Sequence, residues 1–170
     1  REPGGSEGAE AIRGLLLTGS ADRWSPRAEA LLFAAARADH VEKTIRPALD
    51  RGAWVLSDRF LDSSRAYQGM GELTDGDVMT LHRIGSAGFL PDRTLVLHLE
   101  EGEAERRARA RDGDEADRIG GRDDAFHRLV ASAFARFASE EPSRVRTVDA
   151  SGDATAVTAR LLDALGDLLP

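Results

Sequence analysis

Asp58 and Arg59 stand just beyond a four-residue apolar run, Ala53-Trp54-Val55-Leu56. In open parallel sheets ligands bind outside the carboxyl ends of strands, so a charged pair there is placed where sites form. An arginine at such a point can hold a phosphate with two parallel hydrogen bonds. The aspartate can hold Mg²⁺, directly or through water. The plainer alternative is a salt-bridged loop pair. Phe33 and Arg37 lie four residues apart in a helical stretch and share a face. Such a pair can grip a nucleobase, the ring stacking on it and the guanidinium bonding an edge carbonyl; read alone, it is a core aromatic beside a snorkelling arginine. Ser63, Ser64, Tyr67 and Gln68 follow, a polar stretch able to line a sugar or base, or simply the start of a capped helix.

Arg106, Arg107, Arg109 and Arg111 crowd together before the charged run Asp112-Gly113-Asp114-Glu115-Ala116-Asp117-Arg118. A run of this kind serves as a solvated, self-balancing face. It serves phosphoryl transfer differently: charge spreads over equatorial oxygens in the transition state, and arginines closing from a lid stabilise it and exclude water. The opening Arg1-Glu2-Pro3-Gly4-Gly5 reads either as a turn or as backbone that lets a ligand approach closely. The four histidines (His40, His82, His98, His127) show no metal-site spacing, and no Ser/His/Asp arrangement suggests a hydrolase.

Positioning these residues requires alternating helices and strands, the pattern of an α/β fold with a mostly parallel sheet. Gly8 to Leu17 reads as a short helix. Ser25-Pro26 opens a long one, with Ser25 as N-cap and Pro26 at the first helical position, running to about Asp50 with a bend at Pro47. The run Ala53 to Leu56 reads as a strand buried on both faces. A short helix through Gln68 and a helix from Thr74 to about Ser86 follow. Thr94 to Leu99 is a second strand, Glu101 to Glu140 is helical with a break around Asp112 to Gly121, Val145 to Val148 is a third strand, and Asp153 to Leu169 is a closing helix.

The bulk properties bound the function. A chain of 170 residues predicts one domain, 1–170. Its net charge of -7 argues against non-specific nucleic-acid binding, though a few local arginines suffice for a nucleotide. There are no cysteines, which excludes disulfides and thiolate chemistry and suits a cytoplasmic protein. No apolar run approaches a membrane span. The chain opens at Arg1, with no initiator Met and already inside a turn motif, so preceding residues are expected.

Taken in order and register, these motifs resemble bacterial thymidylate kinases over essentially the whole chain. The resemblance is carried by Arg1-Glu2-Pro3-Gly4-Gly5, Ala30-Leu31-Leu32-Phe33-Ala34-Ala35-Ala36-Arg37, Ser57-Asp58-Arg59-Phe60 and Ser63-Ser64-Arg65-Ala66-Tyr67-Gln68-Gly69. Pro91-Asp92, Arg107-Ala108-Arg109-Ala110-Arg111, Asp117-Arg118-Ile119 and Val148-Asp149-Ala150 continue it. It implies a P-loop-kinase-like three-layer α/β fold with a parallel sheet, whose first strand, P-loop and first helix are missing from this chain, and a lid at about 109–121. It implies ATP-dependent phosphorylation of dTMP with Mg²⁺, in nucleotide biosynthesis, by a homodimer that binds neither nucleic acid nor membrane.

By the same resemblance, Phe33 stacks on thymine, Arg37 bonds its edge and Ser64 contacts the base. Tyr67 lies against the deoxyribose, and Arg59 holds the dTMP phosphate in a pocket that Pro3 helps line. Asp58 positions Mg²⁺. Arg109, Arg111 and Arg118 are the catalytic lid arginines, alongside Arg59, and Arg107, Ala150 and Ser151 serve ATP.

Departures are the absence of a G-x-x-x-x-G-K-[ST] loop, Gly120-Gly121 where relatives carry an acidic residue, Ala131 in place of an arginine, and Phe60 in place of tyrosine or histidine. A chain confined to these residues is expected to be inactive as a kinase. The alternatives are a non-catalytic nucleotide-binding relative and a kinase for another nucleoside monophosphate or a deoxynucleoside.

Overall fold

The computed structural model describes residues 1–100, 102–103, 106–107 and 118–169. The chain divides into two compact units. One holds Arg1–Leu90 with a later segment ending at Ala131; the other begins at Pro91 and resumes at Ser132.

The first unit is helical. Helix α1 (Glu7–Leu17) starts where the Ser6 hydroxyl accepts from the Ala9 N–H, satisfying one of the donors a helix N-terminus leaves open. Helix α2 (Pro26–His40) is capped in the same way by Ser25, with Pro26 in the first turn, as its sequence predicts. It runs through a π-helical turn, Val41–Ile45, into α3 (Arg46–Asp50). Pro47 explains the wide turn, because it has no N–H to give and its ring crowds the carbonyl four residues back. The Arg46 N–H accordingly reaches back five residues to the Val41 carbonyl. Helix α4 (Leu61–Gln68) carries the polar stretch, and α5 (Asp75–Ser86) opens with a reciprocal capping box between Thr74 and Asp77. Helix α2 packs on α1, α4 and α5. Leu16, Ala30, Ala36, Val41, Leu61, Ala66 and Val78 close the core between them.

The run Ala53-Trp54-Val55-Leu56 departs from expectation. It is not a strand: among the described residues nothing pairs with it along its length, Trp54 is 66% exposed and Leu56 is 95% exposed. An apolar run becomes a strand only when neighbouring chain takes up its backbone hydrogen bonds. The tie at its end is the Glu2 N–H, which donates to the Asp58 carbonyl at 2.8 Å.

The second unit holds a parallel two-stranded sheet, β1 (Thr94–His98) beside β2 (Val145–Asp149), in register from Thr94 opposite Val145 to His98 opposite Asp149. The long helix α6 (Asp124–Glu140) begins in the first unit and ends in the second, where Ala133 and Phe137 are buried, as are Val145 and Val148 of β2. Helix α7 (Ala154–Ala164), capped by Asp153, packs on β2.

Candidate functional site

Helix α2 presents Glu29, Phe33 and Arg37 at intervals of four, and α4 presents Ser64, Tyr67 and Gln68 at intervals of three and four, so each set shares a face. The two helices pack together and the sets meet. At one end the Arg37 Nη2 donates to the Ser64 Oγ at 2.5 Å, while its Nε donates to the Glu2 carboxylate at 2.9 Å. His40 Nδ1 lies 3.0 Å from the other Glu2 oxygen. Arg37 and Glu2 are both buried, so the charge of each is compensated where water cannot reach it. Phe60 lies 5.5 Å beneath the Arg37 guanidinium and packs edge-on against His82 and Phe89.

In the middle, Arg59 lies 5.3 Å over the Tyr67 ring and donates to its hydroxyl at 3.4 Å. Arg59 and Asp58 are both exposed. Arg59 adopts φ 69°, a conformation costly for any residue with a Cβ, on the order of 1–3 kcal/mol. Strain of this kind at a charged, exposed arginine marks a position held for a purpose.

At the far end Tyr67 and Gln68 join a cavity of about 390 Å³, walled also by Trp24, Glu29, Arg118, Arg122 and Phe126. Glu29 gathers three donors there. Gln68 Nε2 reaches it at 3.0 Å, Arg118 Nη2 at 2.6 Å, and Arg122 Nη2 reaches both oxygens at 2.9 Å. Burial by itself would raise the Glu29 pKa. The hydrogen bonds from Gln68 and Arg118, with the charges of Arg122 and Arg118, outweigh that and hold it below the ordinary glutamate value. Arg118 is engaged at every nitrogen: Nε donates to the Leu16 carbonyl at 2.8 Å and Nη1 to the Ala21 carbonyl at 3.3 Å. Arg122 is partly exposed and stacks 4.5 Å over Phe126, which packs edge-on against Tyr67. Gln68 Oε1 is buried with no hydrogen-bond partner.

Set against the expected residues, Arg37 with Ser64 and Arg59 with Tyr67 are brought together along α4. Phe33 is half-buried on the same face of α2. Pro3 is buried, and its carbonyl accepts from Arg13 at 2.8 Å. The glycines after it leave room not for open approach but for this chain's own side chains: a Cβ on Gly4 would strike Glu10, and one on Gly5 would strike His40. Arg109 and Arg111 lie outside the described residues, and Arg118 is buried.

In the second unit, Arg107 donates to the Ala150 and Gly152 carbonyls, both at 3.1 Å, and pairs with Glu103. Ser151 donates from its backbone and hydroxyl to Asp149. Arg107 thus meets the loop after β2 that carries Ala150 and Ser151, and the three residues expected to serve ATP are neighbours. Glu2, Glu29 and Arg122 were not singled out from the sequence, and Gln68 only as a member of the polar stretch Ser63 to Gln68. The signal for Glu29 was present, since it stands one helical repeat before Phe33; Gln68 likewise stands four after Ser64.

Among the described residues no group of three or more His, Cys, Asp or Glu side chains could hold a metal by itself. No described helix is long and apolar enough to cross a membrane.

A family model described as Thymidylate kinase matches residues 1–161. A protein of Rhizorhabdus wittichii named thymidylate kinase is 60% identical over 171 residues, spanning 100% of this chain and 82% of the relative. One of Bradyrhizobium diazoefficiens with the same name is 45% identical over 100% of this chain and 76% of its own. A crystal structure of thymidylate kinase from Ehrlichia chaffeensis matches with a TM-score of 0.72 at 26% identity, covering 97% of this chain and 77% of that one.

Proposed function

The chain belongs to the thymidylate kinase family and its activity is the phosphorylation of dTMP, a premise from which we propose how its residues divide the work. The fold is the P-loop-kinase-like α/β fold of that family. The donor is ATP with Mg²⁺, and dTMP lies along the faces that α2 and α4 share. Phe33 stacks on thymine, Arg37 and Ser64 meet its edge, Tyr67 backs the deoxyribose, and Arg59 takes the phosphate with Pro3 in the same pocket.

The observation that carries this reading is the row Ser64, Tyr67, Gln68 on α4. The first two members are bonded to arginines expected to hold opposite ends of a nucleotide, and the third carries a buried, unsatisfied acceptor. A buried polar atom without a partner carries a desolvation cost that a ligand donor would relieve.

An oxygen of the dTMP phosphate attacks the γ-phosphorus of ATP in line, the bond to the bridging oxygen breaks, and ADP leaves. No general base is needed, because the attacking oxygen is already anionic. Asp58 fits Mg²⁺, since this ion keeps most of its waters and takes one or two carboxylates along with substrate phosphates. When bound, the metal neutralises charge on the triphosphate. Arg59 aligns the acceptor phosphate, and Arg109 and Arg111 close on the transferring group. Arg118 reaches that group only by exchanging the carbonyls and carboxylate that now hold it. Arg107, Ala150 and Ser151 line the adenine end.

The protein works in the cytoplasm as a homodimer. Leu31 of α2, 55% exposed beside Leu73 and Leu81, supports helix-to-helix pairing of two copies. In an intact enzyme that carries a phosphate-binding loop, replacing Arg59 with Ala is expected to lower kcat/KM for dTMP by at least ~100-fold, the loss typical of removing one donor aimed at developing charge. Near-normal kcat/KM in that variant would overturn the role given to Arg59, and a competition of dTMP, dUMP, dCMP and thymidine separates dTMP phosphorylation from that of the other acceptors.

A further inference from the structure

Four successive backbone carbonyls, from Asp149 to Gly152, each accept from an arginine. Asp149 and Ser151 accept from Arg160 Nη1 at 2.7 and 2.8 Å, while Ala150 and Gly152 accept from Arg107, both at 3.1 Å. The alternation is that of extended backbone, whose successive carbonyls point to opposite edges. On one edge the Ala150 N–H also donates to the His98 carbonyl at 2.8 Å, which prolongs the pairing of β1 with β2. Arg107, which follows β1, holds that edge; Arg160, from α7, holds the other.

Arg160 stands where an arginine is electrostatically out of place. Its guanidinium reaches back past the N-cap Asp153, against the end of α7 where the helix dipole repels a cation. The two carbonyls offset that repulsion, as does the Asp149 carboxylate, 3.4 Å away. The same carboxylate accepts from both the N–H and the hydroxyl of Ser151. Neither Arg160 nor Asp149 is buried, so their pairing contributes little to overall stability. What it fixes is the path of one short segment at the carboxyl end of a parallel strand, where ligands of such sheets bind.

We propose that Arg160 is a positioning residue for the phosphoryl donor, which with Arg107 holds Asp149 to Gly152 extended and so sets Ala150 and Ser151 against the adenine. The proposal rests on the reading that Ala150 and Ser151 line the adenine end.

The test is steady-state kinetics of an intact enzyme that carries a phosphate-binding loop, with ATP and dTMP varied separately. Wild type is compared with Arg160→Ala, Arg160→Lys, Arg107→Ala and the double alanine variant. Arg160→Ala should raise the KM for ATP several-fold and leave kcat and the KM for dTMP at wild-type levels. Arg160→Lys, whose ammonium can still meet the two carbonyls, should recover most of the loss. The double variant should raise the KM for ATP by less than the product of the single effects, because either loss frees the same segment. If Arg107→Ala raises that KM and Arg160→Ala does not, Arg160 has no positioning role and the adenine-end reading stands. A KM for ATP unmoved by both removes that reading, and the proposal with it. A rise in the KM for dTMP equal to that for ATP would make Arg160 a general structural residue and overturn the proposal. Should Arg160→Ala not fold, Arg160→Gln, which keeps a single donor group, takes its place with the same outcomes.

Discussion

Arg118 and Arg107 lie eleven residues apart, either side of the same charged run, and the two units use them in opposite ways. Arg118 in the first unit has a side chain 1% exposed, with every nitrogen bonded to Leu16, Ala21 or Glu29. Arg107 in the second unit has a side chain 45% exposed and lies over the Ala150 and Gly152 carbonyls. A charge taken out of water is tolerated only when fully paired, and breaking the pair leaves its partner stranded. An exposed arginine keeps its hydration and can change partners at little cost. The Glu29–Arg118 pairing is therefore held rigidly, while the Arg107 contacts can change partners at little cost.

The contrast breaks or holds on Arg118→Ala. Removing it leaves Glu29 buried with part of its compensation gone, and about 3–5 kcal/mol of unfolding free energy should be lost in urea titrations. A loss below ~1 kcal/mol would mean that water reaches Glu29 and that the two ends do not differ.

A smaller effect follows from acidity. Glu29 is held below the ordinary glutamate value of 4.5 in the fold. Its ionised form thus contributes stability at pH above that value, and the contribution drains away as pH falls through the folded value. The stability difference between wild type and Glu29→Gln should stay level from about pH 7 down to about pH 5 and shrink below that. A difference that persisted undiminished into strong acid would assign the effect of the substitution to packing.

The sequence showed the local part of this arrangement more readily than the long-range part. Ser25-Pro26 and Thr74 mark their helices because a cap is chemistry between residues two or three apart. Phe33, Arg37, Ser64 and Tyr67 announce themselves by helical spacing within known motifs. Glu29 hid because a glutamate in the first turn of a helix is the ordinary complement to the helix dipole, and nothing local says that Arg118, 89 residues away, will bury it. Arg118 read as a lid cation for the same reason: its partners are the carbonyls of Leu16 in α1 and Ala21 in the turn after it, and the Glu29 carboxylate of α2, all distant in sequence. The run Ala53 to Leu56 failed as a strand because strand formation belongs to a pair, while the sequence displays only one member.

The smallest effect sharpens the other side of the contrast. Arg107→Ala removes an exposed side chain whose partners are carbonyls on a loop and Glu103 four residues away. Pairs of that kind contribute at most about 1 kcal/mol, because solvent screens them and ordering two long side chains costs entropy. Stability should therefore change by less than that. The KM for ATP should rise several-fold while dTMP binding by calorimetry stays at the wild-type level, because only the loop carrying Ala150 and Ser151 loses its clasp. If dTMP binding weakened in step with ATP, the work of Arg107 would not be confined to the nucleotide-donor end. The contrast between a rigidly paired Arg118 and an adjustable Arg107 would then have to be redrawn.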